Sequence, residues 1–474
     1  MLFHSLEFVL LLGATLMFFY FFPQRARLYL LTLADIVFYL VTGLSYLFLF
    51  MTVSLVVYYC AIKAVEQEQR LYIWLGVLVA VANLVFFKYT GFILANITML
   101  YPLEAFRDST LVSNVVLPLG ISFYTFQLVA YLLDVSRKKI QPCRNLLVFW
   151  VFVSFFGKLI AGPIMRGQEF IPQLERINSY QFRLEDIKAG YYYILLGLTK
   201  KIIIADNLAP QVDFYFGSIA QLNSVEAWIA AYLFAFQLYF DFSAYSDIAV
   251  GIGRLFGLRI SLNFATPYIS ANATEFWKRW HITLSTWIRD YIYIPLGGSR
   301  KGLLLQCLFI IVAMAVSGLW HGAAWTFVLW GIYHGWLLTG HKLLTVLREK
   351  RLLVFPDGLL SRVGSVFIFF NLATIGWVFF RANSLHDGLL MTSKMLLFTP
   401  VEISRAYMYS FTLIAFLYLL HVVEYLLLKH RSTLLYHWEN NVPDFLRAGV
   451  YILLIIAMVL SLQTGQNSFI YFQF

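Results

Sequence analysis

Residues 316–335 read VSGLWHGAAWTFVLWGIYHG and continue an apolar run that begins at Leu303. Ser317 and Gly318 lead into Trp320-His321-Gly322, after which apolar residues resume. A membrane-spanning helix needs roughly 20 predominantly apolar residues. The pattern therefore predicts two helices, over 303–319 and 323–340, with His321 held between them inside the membrane-embedded body. Flanking glycines permit close backbone approach or a break in the helix. An ionisable side chain at that depth is costly and is a candidate functional residue on that ground. Imidazole is also the side chain best suited to general-base work near neutral pH. The plainer alternative is a core histidine bonded to a carbonyl.

The rest of the 474 residues agree with a lipid environment. Hydrophobic residues make up 61% of the chain, aromatics 18% and charged residues only 13%, with a mean hydropathy of +0.74. Soluble domains average about 25% charged residues, so this composition excludes an ordinary cytosolic enzyme, a disordered chain and a nucleic-acid-binding domain. The net charge of +10 then reads as Lys- and Arg-rich cytoplasmic loops facing anionic headgroups. Arg137, Lys138 and Lys139 form one such loop, and residues 341–362 another. Cys60, Cys143 and Cys307 are far apart and support neither a disulfide framework nor a metal site.

Further spans are expected at 5–22, 28–42, 45–62, 71–88, 145–161, 187–204, 226–250, 363–380, 407–428 and 447–462. A stretch at 111–134 interrupted by Pro118 and Gly120 suits a broken or re-entrant segment, which needs protein or water around it. The first of these spans is followed by Arg25 and Arg27 and lacks the small-residue cleavage site of a signal peptide. It reads as a retained helix whose end faces the cytoplasm. The fold class is thus an all-α, polytopic integral membrane protein with about ten to thirteen embedded helices, interfacial or re-entrant ones included. It forms one membrane domain over 1–474 with no separate soluble domain.

Two other stretches carry polar chemistry. Residues 272–298, NATEFWKRWHITLSTWIRDYIYIPLGG, open with Asn272 and Glu275 in capping-box-like spacing. Trp277, Trp280, Leu284, Trp287 and Tyr291 recur at steps of three and four. Lys278, Ser285 and Arg289 lie on the opposite side and His281 at the boundary. The pattern predicts one amphipathic helix in the membrane interface, ended by Pro295 and Gly297-Gly298. Either His281 anchors that helix or it takes part in chemistry. Residues 236–257, FQLYFDFSAYSDIAVGIGRLFG, place Gln237, Asp241 and Tyr245 on one helix face, with Asp247 nearby. These carboxylates can line a polar cavity, bind an ion, or pair with Lys200, Lys201 or Arg254, and spacing alone does not choose. No serine nucleophile elbow, phosphate loop or metal-ligating histidine pair occurs.

The EFWKRWHITLSTWIRDYIYIPLGG segment followed about forty residues later by LWHG resembles the membrane-bound O-acyltransferase superfamily, and within it the alginate O-acetyltransferase membrane subunit and its relatives. LPLGISFYTFQ (117–127), LIAGPIMR (159–166), KKIIIADNLA (200–209), NFATPYIS (263–270), GWVFFRA (376–382) and FIYFQF (469–474) extend the resemblance along the chain, and 272–335 is its signature region. The resemblance implies a many-helix body around a tunnel or funnel, with His321 catalytic and His281 the second characteristic polar position. It implies transfer of an acyl group, foremost acetyl, from a cytoplasmic thioester donor (acetyl-CoA or a phosphopantetheine-linked acyl group) toward hydroxyls of an extracytoplasmic polysaccharide. Periplasmic partner proteins, membrane lipids and a bacterial inner-membrane location belong to the same implication, with no bound cofactor, metal or nucleic acid. Trp320, Gly322, Gln237, Asp241, Tyr245, Ser285 and Arg289 are the accompanying substrate or tunnel candidates. D-alanyl transfer to teichoic acid and acyl transfer to peptidoglycan are alternatives within the chemistry. An ion-coupled transporter or flippase using Asp241, Asp247 and the histidines is the alternative outside it.

Overall fold

A computed structural model describes residues 3, 5–100, 117–160, 162–353, 356, 358–397, 400, 402 and 404–462. Among them the regular structure is helical throughout. Two compact units form, one from Met1–Leu196 with Tyr245–Leu262 and the other from Gly197–Ala244 with Asn263–Phe474.

In the first unit, Leu44–Glu66 and Arg70–Met99 are long and apolar enough to cross a membrane, and most of each faces outward. Leu6–Phe21 and Ile121–Ser136 are shorter apolar helices. The first starts where the Ser5 hydroxyl accepts the Phe8 N–H. The second starts just after Gly120, whose φ of +68° is the left-handed conformation glycine tolerates. Of the stretch expected to be broken at Pro118 and Gly120, the helix that follows them is described, and residues 111–116 lie outside the described residues. The span expected over 145–161 is corrected. Its helix, Leu146–Ser154, has nine residues, about 14 Å at 1.5 Å per residue, and is almost wholly buried in protein. The buried Asp35 carboxylate closes it by accepting the Ser154 hydroxyl at 3.0 Å and the Phe156 N–H at 2.8 Å. Hydropathy does not distinguish a short helix wrapped by protein from a longer one wrapped by lipid.

The second unit holds four more helices long and apolar enough to span: Leu303–His321, Leu359–Arg381, Arg405–Lys429 and Asp444–Ser461. In the last two only 11% and 6% of the apolar window is buried, against 50% for Leu359–Arg381, so their surfaces are left for lipid. Trp325–Glu349 follows Leu303–His321 in a hairpin whose two backbones nearly touch. A Cβ on Gly318 would lie 2.1 Å from the Phe327 carbonyl oxygen, and one on Gly331 2.2 Å from that of Met314. Small residues allow such approach between membrane helices. We expect Gly318→Ala to cost at least about 1–3 kcal/mol, whereas Gly364→Ala, which meets open space, leaves stability unchanged or slightly raised. Thermal unfolding of the two variants in detergent checks the contrast.

The interfacial helix expected over 272–298 is also corrected. A short helix, Ala273–Trp277, ends in a turn, His281 takes a left-handed φ of +41°, and a new helix runs Ile282–Ile288 before a π turn at Arg289–Tyr293. Trp277, Trp280, Leu284 and Trp287 are buried in protein. The aromatic stripe is therefore packing material, and the break at His281 is where it turns. Capping is close to expectation. Asn272 Oδ1 accepts the Glu275 N–H at 2.8 Å, and Glu275 reaches back to the N–H of Ala271, one residue earlier than in a strict box.

Candidate active site

His321 is the last residue of Leu303–His321 and is 3% exposed. The Gly322 N–H closes the final turn on the Gly318 carbonyl, after which Gly322 is extended. A Cβ there would lie 2.1 Å from the Phe327 ring, so glycine lets the aromatic ring close over the helix end. The imidazole is walled by Trp320, Trp330 and Phe380, with ring centroids at 4.9, 5.0 and 5.3 Å. Trp330 stands edge-on at 88°.

His281 is fully buried and its ring centroid lies 6.3 Å from that of His321. Phe242 stands edge-on at 4.7 Å and Trp320 at 5.9 Å. The His281 Nδ1 meets Asn263 Oδ1 at 3.1 Å, while its Nε2 is buried with no hydrogen-bond partner. Two buried imidazoles thus come from sequence positions forty residues apart, one at a helix end and one at a strained turn.

The other candidates divide. Trp320 and Gly322 are part of the histidine enclosure. Gln237 is buried, with its amide oxygen unbonded. Asp241 is committed to an ion pair: Lys201 Nζ lies 2.8 Å from both Asp241 Oδ1 and Asp206 Oδ1. This is the lysine pairing that spacing left open, made possible by the π turn Thr199–Ala205 that carries Lys201. Tyr245 belongs to the first unit, where it is buried with its ring 5.3 Å from Phe3. Ser285 donates to the Trp280 carbonyl at 3.1 Å, bracing the turn at His281. Arg289 is 58% exposed and pairs with Asp290, so it is directed away from the enclosure. At Glu275, burial works to raise the carboxyl pKa, but the Ala271 N–H and the Arg279 and Arg362 guanidiniums outweigh it and hold the group below its ordinary value.

Of a second buried polar cluster in this unit, only Lys200 was named from the sequence, and there as a partner for other carboxylates. Lys200 Nζ contacts Glu424 Oε1 at 2.5 Å, Tyr239 donates to Glu424 Oε2 at 2.7 Å, and His421 Nε2 accepts the Tyr268 N–H at 3.1 Å. A lone glutamate in the apolar run LLHVVEYLLLK, three residues after a histidine, was its visible signal.

The family model described as MBOAT, membrane-bound O-acyltransferase family, matches residues 36–380, which contain both histidines and the hairpin. The chain belongs to the membrane-bound O-acyltransferase family. Among its relatives, a peptidoglycan O-acetyltransferase of Helicobacter pylori is 32% identical over 94% of this chain and 91% of its own length. A probable alginate O-acetylase, AlgI, of Azotobacter vinelandii is 35% identical over 96% of both chains. A teichoic acid D-alanyltransferase of Streptococcus thermophilus is 28% identical over 55% of this chain and 68% of its own. The chain is accordingly a multi-pass membrane O-acyltransferase, as its composition and two histidine motifs led one to expect. Membership sets the transporter alternative aside. The FIYFQF segment lies outside the described residues.

Proposed function

We propose that this acyltransferase passes acetyl from a cytoplasmic thioester donor, acetyl-CoA or a phosphopantetheine-linked acyl group, toward hydroxyls of an extracytoplasmic polysaccharide. The observation that carries the reading is the enclosed His321–His281 pair at the end of the glycine-packed hairpin. In the reaction His321 removes the proton of the accepting hydroxyl as its oxygen bonds to the thioester carbonyl carbon. The carbonyl becomes an oxyanion, which backbone N–H groups are suited to receive. Collapse of that intermediate breaks the C–S bond, and the departing thiolate takes the proton back from His321. The enclosure keeps water, the competing nucleophile, away from the thioester.

Acetyl is preferred over D-alanyl because the acetyl-transferring relatives match over nearly the whole chain and the D-alanyl relative over about half. A bacterial inner-membrane location and periplasmic proteins that receive or finish the transfer belong to the same proposal. The test is chemical. Cells deleted for the gene lose base-labile acetate from one extracytoplasmic polymer and regain it with the wild-type chain. Loss of esterified D-alanine with acetate unchanged would overturn the choice of acyl group.

A further inference from the structure

The hydrogen bonds around Asn263 carry a consequence for the second histidine. Its side-chain oxygen accepts the Thr283 backbone N–H at 3.2 Å and the Thr283 hydroxyl at 2.9 Å. A backbone N–H can only donate, so the atom facing it is the amide oxygen and not the amide nitrogen. That same oxygen faces His281 Nδ1 at 3.1 Å. Were Nδ1 unprotonated, two lone pairs would oppose each other there, so Nδ1 carries hydrogen. The Asn263 carbonyl also accepts the Ile282 N–H at 2.9 Å. One asparagine therefore holds residues 281, 282 and 283, and with them the left-handed backbone of His281, a conformation that costs a non-glycine residue energy and persists only when its surroundings enforce it.

With hydrogen on Nδ1, the neutral ring presents a lone pair at Nε2, which is the buried atom without a partner. We infer that Asn263 is a positioning residue that locks His281 in the Nδ1–H tautomer, so that Nε2 accepts a hydrogen bond from a substrate hydroxyl beside His321. This rests on the reaction proposed above and assigns the two histidines different work. His281 orients a hydroxyl and does not, as a neutral ring, donate to the oxyanion. His321 moves the proton. Trapping a histidine in one tautomer through its other nitrogen is a general way to fix the direction of a catalytic hydrogen bond.

The test is ring-nitrogen NMR of the full chain in nanodiscs with 15N-labelled histidine. Nine histidines keep the spectrum tractable, and His281→Gln assigns the signal. The expected result is hydrogen on Nδ1 in the wild type and in Asn263→Asp, which keeps an acceptor oxygen, and loss of that preference in Asn263→Leu. Acetyl transfer from labelled acetyl-CoA to the polysaccharide should fall at least about 100-fold in Asn263→Leu, because a wrong tautomer removes the oriented lone pair, and Asn263→Asp should recover most of it. Hydrogen on Nε2 in the wild type overturns the inference, as does Asn263→Leu that loses the tautomer yet transfers normally. If Asn263→Leu does not fold, the wild-type and Asn263→Asp spectra decide. Failure of the reaction itself looks different: hydrogen sits on Nδ1 as stated, but His321→Ala still transfers acetyl.

Discussion

His321→Ala lowers acyl transfer by about 10²–10⁴-fold, the range a positioned general base supplies, while the protein remains folded. In the reaction proposed above, loss of the imidazole removes the group assigned to take the hydroxyl proton. Alanine is tolerated structurally because the hairpin is held elsewhere, by the backbone approaches at Gly318 and Gly331. The cavity left between Trp320, Trp330 and Phe380 costs some stability without unfolding the unit. The comparison is made at matched amounts of monodisperse protein, so that a fall in yield is not read as a fall in rate.

The second large effect is structural. Lys201→Met should destabilise the chain by about 3–5 kcal/mol, the cost of breaking a buried ion pair from one side. Lys201 and Asp241 are 2% and 4% exposed at their side chains and Asp206 is 16% exposed. Removing the ammonium leaves two carboxylates close together in a poorly solvated place. Replacing all three, Lys201→Met with Asp206→Asn and Asp241→Asn, removes the uncompensated charge and should recover much of the loss. Detergent thermal unfolding reads both, and a single variant that melts with the wild type would show that the pair contributes nothing.

Much of the fold was legible in the sequence, because a run of about 20 apolar residues matches the thickness of a bilayer's hydrocarbon core when coiled into a helix. Leu44–Glu66, Leu303–His321, Leu359–Arg381, Arg405–Lys429 and Asp444–Ser461 fall close to where hydropathy put them. The misreadings share a cause. Leu146–Ser154 is apolar because protein surrounds it, and at 272–298 the steps of three and four continue straight across a turn. That turn is enforced by Asn263, eighteen residues earlier, and no local pattern records so distant a partner. His321 stands out in the sequence because glycines and tryptophans isolate it in an apolar run, and the structure buries it at a helix end. Asp241 was visible as an intramembrane acid, but its occupation depended on a π turn in another helix. Asn263 was hidden for the plainest reason: an asparagine in a polar loop looks like any other loop residue.

The most direct measurement separates donor binding from transfer in one preparation. Purified wild-type and His321→Ala chains in nanodiscs receive labelled acetyl-CoA, a polysaccharide acceptor and a periplasmic extract that supplies the partner proteins, and bound donor and transferred label are counted separately. The expected result is that the variant binds donor as the wild type does and passes almost no label to the polymer. Transfer at the wild-type rate without His321 would contradict it.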